Sequence, residues 1–178
     1  DYQAAVCETQ EGADALVVSS PNVAALLCFA DCVPVVAVSP TGRAAVIHAG
    51  WRGAQGGILG KTLQRMAQLD CEEHQLVASW VLSQTNVYVG PYIHAECFQV
   101  GQDVAELFLQ PYGPEALLDE NHVDLGAALR VDAQRQGVAL ERIADAQACT
   151  VCSPDLYYSY RASGGVCGRH GAFAVRKE

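Results

Sequence analysis

The chain has 178 residues, 51% of them hydrophobic and 17% charged, which is enough apolar material for one domain with a substantial core and excludes intrinsic disorder. Eleven Lys and Arg against twenty Asp and Glu leave a formal net charge of −9. That balance argues against a nucleic-acid or anionic-membrane surface, because both need clustered cations that release counterions.

Eight cysteines, at 7, 28, 32, 71, 97, 149, 152 and 167, would suit a disulfide framework in a small secreted domain. Cys28 lies in an apolar run, however, and a core of this size needs no staples, so a reduced, cytoplasmic setting is expected. The longest early charge-free run, Ala15 to Ala30, is interrupted by Ser19-Ser20-Pro21-Asn22 and is too short to span a bilayer. No signal peptide or membrane helix is expected. The chain starts at Asp1 and runs directly into Tyr2-Gln3-Ala4-Ala5-Val6, which leaves a processed or truncated N-terminus open.

In chain order, Ala15 to Ser19, Ala24 to Phe29, Val35 to Val38 and Ala44 to His48 are rich in β-formers and bounded by Pro/Gly/Asn turns, so four buried strands are expected. The third and fourth flank Ser39-Pro40-Thr41-Gly42-Arg43 and read as a hairpin. From Ala54 to Leu69, Ile58, Leu59, Thr62, Leu63, Met66 and Leu69 recur at three and four, predicting an amphipathic helix after a glycine-rich start. Strands are then predicted at Leu76 to Leu82 and Thr85 to Val89, and a helix at Gln102 to Leu109. A second strong helix spans Asp124 to Gln136 and stops at Gly137. Strands at Ala148 to Val151, Tyr157 to Tyr160 and Ala172 to Val175 close the chain. Without a strict βαβ rhythm, these elements make an α+β (mixed α/β) domain.

The chemistry concentrates at the open end of the hairpin. Ala30-Asp31-Cys32-Val33-Pro34 enters it and His48-Ala49-Gly50-Trp51-Arg52-Gly53 leaves it, so Cys32 and His48 should meet. Such a pair can be two zinc ligands, a nucleophile with its base, or packed core residues. Asp31 supplies a carboxylate able to orient a ligand or move a proton. Arg52 stands at a glycine-rich helix entrance, where free backbone N–H groups and the helix dipole favour an anion such as phosphate; an ordinary ion pair is the plainer alternative.

Asp14-Ala15-Leu16-Val17, Ala30-Asp31-Cys32-Val33-Pro34-Val35, His48-Ala49-Gly50-Trp51-Arg52-Gly53, Gly90-Pro91-Tyr92-Ile93, Cys97-Phe98-Gln99-Val100-Gly101, Val123-Asp124-Leu125, Cys149-Thr150, Ser159-Tyr160-Arg161 and Gly168-Arg169 occur in that order. Together they resemble the YfiH-like family, also called the polyphenol oxidase or laccase-domain family, over nearly the whole chain. The resemblance implies a four-layer α/β/β/α sandwich in a single domain, residues 1–178. It also implies a zinc-dependent purine nucleoside phosphorylase acting on adenosine, inosine, guanosine or methylthioadenosine with phosphate, in some members with adenosine deaminase activity. Carried over, the metal ligands are Cys32 and His48, with Asp31 and Arg52 as catalytic candidates. The family's third ligand, from a Gln-Val-His-Gly segment, has no counterpart, and the N-terminal part of the family domain is expected to be absent. His74, His94, His122 and His170 read as poor substitutes, with His94 and Cys97 noted as neighbours because that loop also matches a family motif.

Three rival readings stand beside this one. A copper polyphenol oxidase needs an imidazole-rich centre, and five His without a His-x-His pair make copper an unlikely cofactor. A metal-free Cys32-His48 hydrolase would react with iodoacetamide and ignore chelators. A catalytically weak binding protein would follow from two ligands alone. Cys149-Thr150-Val151-Cys152 is a lone Cys-x-x-Cys with no second pair, so ordinary thiols are favoured there. Tyr157, Tyr158 and Tyr160 can pack or stack on a base, and Arg161 and Arg169 can bind substrate or fix the C-terminal loop; both choices stay open. Oligomeric state is not legible.

Overall fold

The computed structural model describes residues 12–177. The strands are β1 (Ala15–Val18), β2 (Ala24–Phe29), β3 (Val33–Val38), β4 (Ala44–Ala49), β5 (Asn86–Val89), β6 (Leu117–Asp119), β7 (His122–Val123), β8 (Ile143–Asp145) and β9 (His170–Val175). The helices are α1 (Trp51–Gln55), α2 (Ile58–His74), α3 (Ala78–Gln84), α4 (Gln102–Tyr112) and α5 (Leu125–Arg135). The fold is mixed α+β, as expected. Cys7 and the first eleven positions lie outside the described residues.

A five-stranded sheet runs β1-β4-β3-β5-β8, with β5 and β8 its one parallel pair, and a separate two-stranded sheet joins β2 to β9. Period-two alternation divides the central hairpin between two cores. Val33, Val35, Ala37, Ala45, Ile47 and Ala49 face the helices, packing with Leu59, Leu63 and Met66 of α2 and Leu125 and Leu129 of α5. Ala44 and Val46, with Val36 and Val38, turn the other way to meet Phe29 of β2 and Ala174 of β9. Three layers of the α/β/β/α description are therefore present among the described residues: helices, the large sheet and the small sheet.

The hairpin forms where the turn residues place it, with Gly42 N–H donating to Ser39 O at 3.0 Å and Pro34 opposite His48. Arg43, just past the turn, is buried and donates from Nε to Asp70 Oδ1 of α2 at 2.7 Å; Thr41 Oγ1 donates to the same oxygen at 2.9 Å. A buried ion pair thus pins the far end of the hairpin to the helix behind it.

Four expectations need correction. The single helix from Ala54 to Leu69 is two, α1 and α2, because Gly57 takes φ 70° and reorients the chain between them. The strand predicted at Leu76 to Leu82 is helix α3, in which Val81 is buried and Leu82 packs on the core while Val77 is 67% exposed; a strand with Val77 and Val81 on one buried face would look different. Tyr157 to Tyr160 form no strand: Leu156 and Tyr157 N–H both return to Ser153 O, and Ala162 N–H donates to Ser159 Oγ, so the segment satisfies itself locally. Ala148 to Val151 contributes one parallel bridge, Tyr92 to Cys149, rather than a strand.

Candidate active site

The open end of the hairpin lies on a cavity of about 450 Å3 lined by Cys28, Ala30, Asp31, Cys32, His48, Ile93, Phe98, Tyr160, Arg161 and Arg169. Its volume is in the range of small-molecule sites, ~300–1,000 Å3. Cys32 and His48 do come together, and Gly50 shows how closely. A Cβ on Gly50 would stand 3.2 Å from Cys32 Sγ and 3.7 Å from His48 Cε1, so the absence of a side chain there leaves room for both groups.

His48 Nδ1 is 2.9 Å from Asp14 Oδ1. That bond fixes the ring and commits Nδ1, leaving Nε2 as the nitrogen available for a ligand, the arrangement that carboxylate-supported metal histidines use. Phe29 packs against the same ring, centroids 5.3 Å apart, and against His170 at 6.4 Å. Burial pushes the Cys32 thiol above its ordinary pKa, the carboxylates of Asp31 and Asp14 add to the rise, and the Arg169 guanidinium partly offsets it.

Asp31 is buried and holds φ 84°, a left-handed conformation that a non-glycine residue adopts at a cost. Its two carboxylate oxygens are both engaged, Oδ1 by Thr150 Oγ1 at 2.7 Å and Oδ2 by the backbone N–H of Arg161 at 2.7 Å. Its carbonyl accepts from Ile93 N–H at 3.0 Å. One residue therefore ties together three loops of the cavity wall.

Arg52 is exposed at the start of α1, with its guanidinium 4.3 Å over the Trp51 ring, and it does not line the cavity. Two other arginines do. Arg161 lies over Phe98 at 5.4 Å and donates to Cys97 O at 3.3 Å; Arg169 lies over Tyr160 at 5.8 Å. The sequence offered them only as members of two short motifs, Ser159-Tyr160-Arg161 and Gly168-Arg169, because no local pattern brings a C-terminal loop to the mouth of an N-terminal hairpin. The polar and ionisable lining is thus two thiols, Cys28 and Cys32, an imidazole, a carboxylate and two guanidiniums, beside the aromatic rings of Phe98 and Tyr160.

Behind the Phe98 and Arg161 wall, Cys97, Cys149 and Cys152 have their sulfur atoms within 4.8 Å of one another and could hold a metal ion. The reading of Cys149 and Cys152 as ordinary thiols did not include this third partner, which arrives from a loop over fifty residues upstream. Burial alone would raise the Cys149 thiol, but N–H groups of His94, Cys152 and Val151 outweigh it and hold that thiol below its ordinary value. The Cys97 thiol is pushed up to about 12, by desolvation and then by its sulfur neighbours Cys152 and Cys149. His74 sits at the end of α2 beside Glu73, and His122 is held by Asp119 at 2.8 Å.

The hairpin, its Cys/His pair and the C-terminal arginines together line one pocket of small-molecule size. The chain belongs to the multi-copper polyphenol oxidoreductase laccase family, whose model matches residues 2–177. It is 33% identical over 177 residues to the purine nucleoside phosphorylase YlmD of Geobacillus stearothermophilus, covering 94% of this chain and 61% of that protein. It is also 33% identical over 175 residues to adenosine deaminase RL5, from an unknown prokaryotic organism, covering 94% of this chain and 63% of that one. The crystal structure of G. stearothermophilus YlmD superposes with a TM-score of 0.79 at 32% identity, over 94% of this chain and 62% of that one. Bacillus licheniformis YfiH also gives a TM-score of 0.79, at 26% identity. The chain therefore spans about three-fifths of the length of these relatives.

Proposed function

We propose that this protein is a zinc-dependent purine nucleoside phosphorylase whose metal is held by Cys32 and His48. The observation that carries the reading is the convergence of that pair with Arg161 and Arg169 on one cavity walled by Phe98 and Tyr160. The relatives named purine nucleoside phosphorylase support the reaction class. The donor set fits zinc: a thiolate and an imidazole are borderline-soft ligands, and the Asp14 bond leaves His48 Nε2 available. When bound, zinc would supply Lewis-acid polarisation of a substrate oxygen.

The chain's own groups account for the rest. Arg161 and Arg169 bring two guanidiniums to the cavity, and such groups bind phosphate by charge-assisted hydrogen bonds. Arg52, exposed at the start of α1, is an outer phosphate contact in this proposal. The faces of Phe98 and Tyr160 suit a purine ring, which stacks on aromatics. In phosphorolysis a phosphate oxygen bonds to the sugar C1′ while the glycosidic C–N bond breaks. Its electron pair leaves with the base, which takes up a proton, and the products are ribose 1-phosphate and free base. Guanidiniums beside the attacking phosphate hold its oxygen in line with C1′ and balance the phosphate's own negative charge, which in turn faces the positive charge that develops at C1′.

Asp31 can orient or carry a proton by its chemistry. Its two occupied oxygens favour the orienting role, since Thr150 and Arg161 N–H already use them. A second activity, deamination of adenosine by water with release of ammonia, draws support from the relative named adenosine deaminase. The protein is tested by supplying inosine with and without inorganic phosphate and following hypoxanthine. Phosphate-dependent release is the expected result. Release that is independent of phosphate, or no release from zinc-loaded protein, would contradict the proposal.

A further inference from the structure

We propose that Cys97, Cys149 and Cys152 form a second metal site, separate from Cys32 and His48, that takes zinc as three thiolates and clamps together the two loops behind the cavity wall.

The sheet builds this site. β5 and β8 run parallel, so the loops that leave them start side by side at one end of the sheet. The pairing then continues past the strands: Ala146 N–H donates to Val89 O at 2.9 Å, Tyr92 N–H to Ala148 O at 3.1 Å and Thr150 N–H to Tyr92 O at 3.0 Å. Register is therefore kept up to Cys149, whose sulfur accepts from His94 N–H at 3.5 Å. A tight turn, with Cys97 N–H donating to His94 O at 3.0 Å, brings Cys97 back over the same point. The Cys-x-x-Cys spacing returns Cys152 to it from the other loop.

The distances suit a metal. A tetrahedral zinc with Zn–S bonds of ~2.3 Å separates its sulfurs by ~3.8 Å. Cys97 and Cys152 sulfurs are 3.5 Å apart, and all three lie within 4.8 Å. Three sulfurs and no carboxylate in the group select a soft or borderline cation over magnesium or calcium. Cys149 is buried, Cys97 half-buried and Cys152 exposed, so an ion reaches the group from the Cys152 side. Three thiolates leave zinc with one excess negative charge, and Arg161, which donates to Cys97 O, brings a cation to that loop.

Position gives the clamp its consequence. Phe98 follows Cys97 and lines the cavity, and Thr150 follows Cys149 and donates to Asp31. Zinc at the three sulfurs would hold both residues in place without touching substrate.

The test is a cobalt titration of the reduced, metal-stripped full chain under anaerobic conditions. Cys32 bound to cobalt would absorb in the same way, so the signal is read in the Cys32→Ser/His48→Ala background: expected there is sulfur-to-cobalt charge-transfer absorption that disappears when Cys97→Ser and Cys152→Ser are added and is bleached by added zinc. Cys152→Ser alone, added to that background at an exposed position, should leave its circular dichroism spectrum unchanged yet weaken cobalt binding about tenfold or more. Absorption that, in the Cys32→Ser/His48→Ala background, survives the further loss of Cys97 and Cys152, or that is absent from that background in the reduced protein, would overturn the assignment. Because the two sites are lost in different variants, failure here leaves the phosphorylase reading standing, and the reverse.

Discussion

Both oxygens of Asp31 are taken, by Thr150 Oγ1 and by Arg161 N–H, and that decides how its loss should look. Asp31→Ala strands a buried hydroxyl and an N–H, which costs about 2 kcal/mol or more by chemical denaturation. Asp31→Asn should lower melting temperature and kcat together; a residue acting only as a proton carrier would lose kcat with its melting temperature unchanged. The arginines divide differently. Arg161→Ala keeps the backbone N–H that Asp31 uses but removes a guanidinium from the cavity, so it and Arg169→Ala should each raise the KM for phosphate about tenfold or more. Arg52→Ala, at a position outside the lining, should change that KM less. Steady-state kinetics with phosphate varied would measure all three. Cys32 and His48 were legible in the sequence because a hairpin joins them. Arg161 and Arg169 were not, because their contribution depends on tertiary docking of a loop that no local spacing encodes.

At the level of elements, the hairpin-to-helix pin is the most exposed to test. Asp70 is fully buried and receives Arg43 Nε and Thr41 Oγ1, so Asp70→Ala leaves a buried cation with its main partner gone. A loss of about 3–5 kcal/mol in unfolding free energy is expected. The α2–α5 contact carries a pH signature. Asp132 Oδ2 accepts from Gly60 N–H at 2.8 Å, but burial dominates and raises its carboxyl above the ordinary value. A raised folded pKa means the native state holds the proton longer than the unfolded chain, so this stabilisation is present below the unfolded pKa and is lost as pH rises through the folded one. Asp132→Asn, which keeps an acceptor for Gly60, should gain stability relative to wild type as pH climbs from about 4 to 7. A gain that shrinks with rising pH would contradict this. The same elements show where sequence reading stops. α2 and β3–β4 carry long, clean periodicities and a Pro40-Thr41-Gly42 turn, whereas α3 is a seven-residue segment in which Val81 is buried and alternation and helical spacing look alike. Tyr157 to Tyr160 have strand-type residues but spend their backbone bonds on Ser153 and one another.

Across the molecule, two sheets and a layer of helices place the hairpin so that one end is pinned by Arg43 and the other opens on the cavity. Family membership and the α+β fold follow from the match over residues 2–177 and the superposition on YlmD. No helix among the described residues is long and apolar enough to cross a membrane. What the whole protein does with its Cys32–His48 pair is settled most directly by one comparison: phosphate-dependent turnover of inosine or adenosine, with zinc content, in wild type, Cys32→Ser and His48→Ala. Wild type should release free base and ribose 1-phosphate, and both variants should lose that activity while retaining wild-type circular dichroism spectra. Turnover unaffected by either substitution would contradict the account.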